Sequence, residues 1–251
     1  MVDSSLLNTG KQYDLLINWN KRIKIEIPFL EYFINNHDQD ITNILEVGCG
    51  TGYHAKELSD LGFKVTGIDI NKSMIEEARL RAENAKFQVM DFLESPPIIK
   101  TKFDMIFSLG NSVGLIASAQ NFNGVISRFP QYLIPSRSLV IFQVLNTEKE
   151  REGWSNPRTV INEDGEFIFL RGFSTSKDYI HPEILTLFRA ETDKEWSFHS
   201  TGRANIPKIG KERMVSLLEN YGFYEIQILG NYQREHYNPT DSIDMIVVAK
   251  Y

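Results

Sequence analysis

The chain has 251 residues, a formal net charge of −6 at pH 7, 42% hydrophobic and 24% charged residues, which suits one large globular domain, or one domain with a sizeable insertion, and excludes a disordered chain. No Lys/Arg cluster offsets the acidic balance, so a nucleic-acid footprint is absent, and the single cysteine, Cys49, excludes an internal disulfide framework and a Cys-rich zinc site. No signal peptide and no run of about 18 apolar residues is read, so the expectation is a cytoplasmic protein that handles small molecules, with no membrane partner.

Leu15, Leu16, Trp19, Ile23, Ile27, Leu30 and Phe33–Ile34 recur near the 3.6-residue period and predict a helix over 13–36, bent or split at Pro28. Lys21-Arg22-Ile23-Lys24 reads as its solvated face. An alternation follows. Asn43–Val47 is a short apolar strand. Tyr53–Leu61 is a helix closed by Gly62. Lys64–Asp69 is a second strand, and Ser73–Glu83 a helix opened by a capping box at Ser73 and Glu76. Phe87–Met90 and Phe103–Ser108 are strands three and four, Asn121–Leu133 is a helix, and Leu139–Leu145 is the fifth strand. Strands and helices at this spacing predict an α/β fold, Rossmann-like, with a mostly parallel seven-stranded sheet covered by helices on both faces.

From 146 to 206 the pattern becomes polar and strand-like, with a hairpin turn at Glu163-Asp164-Gly165-Glu166 and antiparallel strands at Phe167–Ser174 and Tyr179–Thr192. The α/β pattern resumes with a helix at Lys211–Tyr221 and strands at Phe223–Leu229 and Ile243–Ala249. The expected organisation is one domain from 1–145 and 207–251, with 146–206 inserted as an antiparallel β lid over the substrate.

The most informative segment is Glu46-Val47-Gly48-Cys49-Gly50-Thr51-Gly52, a strand running through Gly-x-Gly-x-Gly into a helix. Glycines let the backbone take otherwise costly dihedrals and let a ligand approach closely. The dinucleotide fingerprint needs a third glycine where Tyr53 stands, and the Gly-Lys-Ser/Thr of a P-loop is missing. Asp69 ends the second strand about 20 residues later, where a carboxylate accepts from ribose hydroxyls. Asp91-Phe92 follows the third strand, where a carboxylate can take an exocyclic amine and a ring can cover a base.

Segment 44–92 resembles motifs I to III of class I S-adenosylmethionine-dependent methyltransferases. The resemblance implies S-adenosyl-L-methionine as cofactor, with Gly48 and Gly50 along its methionine part, Asp69 on the ribose, and Asp91 and Phe92 on adenine. Glu46 matches the acidic residue of motif I, and Ile70, Met74 and Leu109 join the cofactor side. Cys49 reads as a small packing residue in the loop. Leu109-Gly110-Asn111-Ser112, after the fourth strand, is similar to the glycine and sarcosine N-methyltransferase branch. So are Tyr13-Asp14, Trp19, Arg22 and Glu26, which match a helix capping the cofactor, and Gly230-Asn231-Tyr232 near the end. The resemblance thus adds Tyr13, Trp19 and Arg22 to the cofactor set, with Arg22 the clamp for the cofactor carboxylate. Asn146 matches a substrate contact, but Thr147 and Glu148 depart from the Asn-Tyr-Asp that follows in that branch.

Methyl transfer from a sulfonium is an in-line displacement, so the chain must align rather than attack. Asn111 is the candidate beside the transferred methyl, and Tyr237 the candidate proton handler. Trp154, Arg158, Arg171, His181 and Arg189 are candidate lid residues. Arg171 shares a strand face with Phe169 and Phe173 and is the candidate substrate ligand. Tyr232 and His236 lie in a loop able to close over the site, whereas Asp241 and Asp244 read as turn and edge residues. No metal is expected, because acidic ligands after the fourth strand are missing and the histidines at 37, 54, 181, 199 and 236 are not paired. The reading is methylation of a small molecule at an amine nitrogen; the alternatives are small-molecule O-methylation or a non-catalytic S-adenosylmethionine sensor. The N-terminal segment is long enough to reach a neighbouring subunit, so a homo-oligomer is possible.

Overall fold

The structure is a computed structural model that describes residues 9–94, 99–162, 165–190 and 195–251. In chain order its helices are α1 (Gly10–Leu16), α2 (Trp19–Asn35), α3 (Tyr53–Asp60), α4 (Lys72–Arg81), α5 (Ser112–Ile126) and α6 (Lys211–Asn220). Its strands are β1 (Asn43–Val47), β2 (Lys64–Asp69), β3 (Lys86–Val89), β4 (Met105–Ser108), β5 (Leu139–Leu145), β6 (Gly153–Trp154), β7 (Arg158–Asn162), β8 (Gly165–Thr175), β9 (Tyr179–Ala190), β10 (Ser197–Arg203), β11 (Ile206–Pro207), β12 (Tyr224–Leu229) and β13 (Asp244–Lys250).

Seven strands form the main sheet in the order β12-β13-β5-β4-β1-β2-β3. β1 to β5 run parallel, and β13 runs antiparallel to both β5 and β12. The central strands read as continuous apolar runs because side chains alternate between two covered faces. Leu45, Val47, Ile106 and Val140 enter a core beneath α5 and α6. Ile44, Met105, Phe107 and Ile141 enter a second core beneath α2 and α3.

The other sheet follows β5: β10-β9-β8-β6 in order, with β7 added on β8 and β11 on β9. β7 and β8 close with Asn162 opposite Gly165; Glu163 and Asp164 of the predicted turn lie outside the described residues.

Three elements differ from expectation. The predicted 13–36 helix is two helices, broken at Ile17–Asn18 and not at Pro28. Ile17 is extended (φ −96°, ψ 136°), and the Asn18 side chain caps α2 by accepting from the Lys21 N–H. Pro28 lies on the exposed side of α2. The helix expected at 121–133 starts at Ser112 and kinks at Asn121 (φ 67°); Phe129–Gln131 is a separate 3₁₀ turn. Its first turns escape periodicity because Val113, Leu115, Ile116 and Ala117 form a nearly unbroken apolar run. Finally, α4 is capped by Asn71, which accepts from the Ser73 N–H at 2.9 Å. The Ser73 hydroxyl instead accepts from the Gly10 N–H at 3.0 Å, which seats α1 on α4.

Candidate active site

A cavity of about 580 Å³ opens at the rim where β1, β2, β4 and β5 end, roofed by α1 and walled by β8 and β9. This is the position at which open α/β sheets hold ligands, and the volume suits a nucleoside-sized molecule with a small companion.

The glycine turn forms its floor. Gly48, Gly50 and Gly52 all have positive φ (70°, 53° and 81°). A Cβ on Gly48 would overlap the Ser112 side chain, and one on Gly52 would press on Ala78, so neither site accepts a larger residue. Asp69 fastens the turn: its Oδ2 accepts from the Gly50 N–H at 3.0 Å and its Oδ1 from the Asn71 N–H at 2.8 Å. Burial pushes its carboxyl up, and those amides pull the other way. Ile70, Met74, Asp91 and Phe92 continue the wall. Phe92 stacks on Tyr132 and leans on Phe129, so its ring is fixed by the core.

Arg22 and Tyr13 also border the cavity. Arg22 Nε donates to Glu26 Oε1 at 2.8 Å across one helical turn. Gly110 faces the guanidinium with no side chain between them. Burial works against the Arg22 charge, but Glu26 holds the group protonated beyond the usual arginine range. Glu26 is 4% exposed; its Oε2 lies 2.6 Å from His54 Nε2, and His54 Nδ1 lies 3.2 Å from Glu46 Oε1.

A third constellation crosses three adjacent strands. The Asn111 N–H donates to Gln143 Oε1 at 2.9 Å, and Gln143 Nε2 donates to Asp244 Oδ1 at 2.8 Å. The Asn111 side chain accepts from the Leu145 N–H at 2.9 Å, and its backbone is left-handed (φ 68°). Asn111, Gln143 and Asp244 all line the cavity, and so do Arg171 and Glu183 on the other sheet. Burial pushes the Asp244 carboxyl up.

The structure therefore brings together Tyr13, Arg22, Gly48, Gly50, Asp69, Ile70, Met74, Asp91, Phe92, Asn111 and Arg171. Five expected site residues do not line the cavity. Trp19 stacks on Tyr53 at 4.3 Å and donates through Nε1 to Asp14, so it supports the site from behind. Glu46 is 2% exposed and faces His54. Leu109 is buried in the core under α2. The Asn146 amide is spent on Pro239 and Ser242 carbonyls, each at 2.9 Å. Tyr237 OH lies 2.5 Å from Asn146 Oδ1 and 2.8 Å from Glu148 Oε2; these contacts tie the loop before β13 to the end of β5, away from the cavity.

Of the other lid candidates, Trp154 is exposed over Gly172, His181 pairs with Asn205, Arg189 with Glu166, and Arg158 donates to the Leu16 carbonyl. Asp244, expected at an edge, instead lines the cavity. β13 runs backwards, so its first residue reaches the rim where the parallel strands finish. A carboxylate just before an apolar strand was the available signal, and the reversal hides it. Glu183 and Gln143 carry no such mark.

A family model described as "Methyltransferase domain" matches residues 44–135, the stretch from β1 past α5. The glycine/sarcosine N-methyltransferase of Aphanothece halophytica is 26% identical over 96% of this chain and 87% of its own length. Among solved structures, a sugar N-methyltransferase from Streptoalloteichus superposes with a TM-score of 0.76 at 15% identity, covering 95% of this chain and 93% of its own. An S-adenosylmethionine-bound amino pentose methyltransferase from Micromonospora echinaspora gives 0.71 at 15% identity, covering 94% and 92%. The glycine turn, the rim carboxylate and the sheet order agree with these likenesses, which together support a class I S-adenosylmethionine-dependent methyltransferase.

Proposed function

We propose that the enzyme methylates an amine nitrogen on a small molecule. The observation that carries this reading is the half-buried rim carboxylate Asp244, which lines the cavity and is joined to Asn111 through Gln143. A carboxylate there attracts an ammonium group and, raised by burial, can take its proton, leaving the neutral nitrogen with a lone pair.

The cavity fits the cofactor, because its lining includes the carboxylates Asp69 and Asp91 and the Arg22 guanidinium. Asp69 would accept from the ribose hydroxyls, and Asp91 and Phe92 would hold adenine. Gly48 and Gly50 would admit the amino-acid tail, whose carboxylate would pair with Arg22. When bound, the cofactor supplies an activated methyl group. The chain's own work is alignment: Asn111 is fixed by Gln143 and Leu145, and the lid 146–206, set against the domain 1–145 and 207–251, shuts out water with Arg171 and Glu183 as its polar contacts. Orientation of this kind accounts for up to about 7–11 kcal/mol of barrier lowering. The relatives that carry "N-methyltransferase" in their names support nitrogen over oxygen as the acceptor.

The test is transfer of labelled methyl to a panel of amino acids, amino sugars and phenols. Amines should be methylated, and Asp244→Asn should lower kcat/KM about 100-fold while leaving S-adenosylhomocysteine affinity intact. Methylation of phenols alone would favour the O-methyl reading, and turnover of none a sensor.

A further inference from the structure

We infer that His54 is a positioning residue for cofactor binding: from beneath the cavity it fixes Glu26, and through Glu26 the Arg22 guanidinium that meets the cofactor's carboxylate. This rests on the Arg22 assignment above.

The argument begins with donors and acceptors. Both ring nitrogens of His54 face carboxylates, at 2.6 Å and 3.2 Å. Ionised carboxylates only accept, and a neutral imidazole has only one N–H. Both nitrogens can donate at once only when the ring is an imidazolium. The side chain is 5% exposed, and the Trp19 and Phe107 rings meet it edge-on.

The charges then balance in a row: Arg22 positive, Glu26 negative, His54 positive, Glu46 negative. Arg22 uses Nε on Glu26 and keeps its terminal nitrogens toward Gly110 and the cavity. If His54 becomes neutral, the row gains a net negative charge under the place where a carboxylate must bind. One of the two carboxylates also loses its donor, and where that carboxylate is Glu26 it pulls harder on Arg22.

Burial pushes the Glu46 carboxyl up, and His54 and Arg22 pull it the other way; the Cys49 thiol beside it, on the turn after β1, is also pushed up by burial and stays neutral. From α1, Tyr13 sits beside Arg22; from the loop before β13, Tyr232 sits beside Glu26; both phenols are pushed up by burial and stay neutral. Asp69 on β2 and Asp244 on β13 add negative charge nearby, which deepens the need for a cation between Glu26 and Glu46. Burial alone would lower the His54 pKa, but the two carboxylates outweigh it and bring it to about 9.

Calorimetry with two ligands separates this role from a merely structural one. S-Adenosylhomocysteine carries the amino-acid carboxylate; 5′-methylthioadenosine lacks it. His54→Gln should weaken the first about tenfold or more at pH 7.5 and leave the second nearly unchanged. The wild-type advantage over His54→Gln should fade as pH rises past about 9; the ligand's own ammonium titrates equally against both proteins and drops out of the comparison. Equal weakening of both ligands, or of neither, overturns the inference. Arg22→Gln checks the premise. If it too leaves S-adenosylhomocysteine affinity intact, the Arg22 assignment falls and the His54 role with it; loss in Arg22→Gln without loss in His54→Gln overturns only the latter. Should His54→Gln not fold, nitrogen-15 spectra of the wild-type ring decide: both nitrogens protonated at pH 7.5 supports the role, and a neutral tautomer overturns it.

Discussion

Asp69 has two tasks that pull on the same carboxylate. It pins the glycine turn through the Gly50 N–H, and in the proposed complex it accepts from the ribose. Asp69→Asn keeps the shape but removes the charge that strengthens both sets of hydrogen bonds, each worth about 1.5–3 kcal/mol when one partner is charged. S-Adenosylhomocysteine affinity should fall about 10- to 100-fold in calorimetry. Tyr237 leads to the opposite expectation. Burial and the adjacent Glu148 push its phenol well above the usual tyrosine range, and it does not line the cavity, so the expectation is that it exchanges no proton with substrate. Tyr237→Phe should leave kcat/KM near the wild-type value and cost about 1–2 kcal/mol in urea unfolding, because Asn146 and Glu148 lose a buried donor. Sequence makes Asp69 legible because its chemistry depends on a strand end and a count from the glycines. Tyr237 could not be read this way: whether a loop tyrosine points into a cavity or across to a neighbouring strand depends on packing that no local pattern encodes.

Among the elements, α1 carries the cavity roof. It contributes Tyr13 and Leu16 to the cavity roof, with Ile17 just beyond its end, yet it has only seven residues, too short to hold its shape alone. Besides the Ser73 contact at Gly10 and the Arg158 contact at the Leu16 carbonyl, Asp14 supplies most of its side-chain anchorage. Oδ1 accepts from the Thr51 hydroxyl at 2.6 Å and from Trp19 Nε1 at 2.9 Å, while Oδ2 takes Arg81 Nη2 at 2.6 Å. Arg81 also donates to the Thr51 carbonyl and lies over the Tyr53 ring. One carboxylate thus joins the roof to the glycine turn, α2 and α4. Asp14→Ala leaves Arg81 without its ion pair and the roof without its latch. Release of S-adenosylhomocysteine, followed by stopped-flow tryptophan fluorescence, should speed up about tenfold or more, while the main sheet stays folded. The break between α1 and α2 is what makes this latch. The heptad-like spacing of Leu15, Leu16, Trp19 and Ile23 concealed it, since both helices keep their apolar residues on compatible faces. Asn18, a cap residue in the middle of the run, was the sign.

Across the whole molecule, the α/β alternation was legible because each central strand is buried on both faces and each helix on one, so composition switches at every boundary. The two antiparallel strands at the end were visible as strands but not in direction, and direction is what brings Asp244 to the site. The buried row beneath the cavity joins α2, β1 and α3, and so couples the site to global stability. His54 has a folded pKa of about 9 against an ordinary 6.5. A group whose pKa rises on folding binds its proton more tightly in the native state. Its contribution is therefore complete below pH 6.5, declines as pH climbs from there to about 9, and is gone above it. The full contribution is on the order of 3 kcal/mol, enough to move the melting temperature of a chain this long by several degrees. Scanning calorimetry from pH 6 to 10 should show the wild type losing that increment on the alkaline side. His54→Gln should start lower and follow a flatter course, because its neutral amide has no proton to lose. Parallel curves for the two proteins would mean that the ring is neutral throughout, with the carboxyls of Glu26 or Glu46 carrying the shared proton instead.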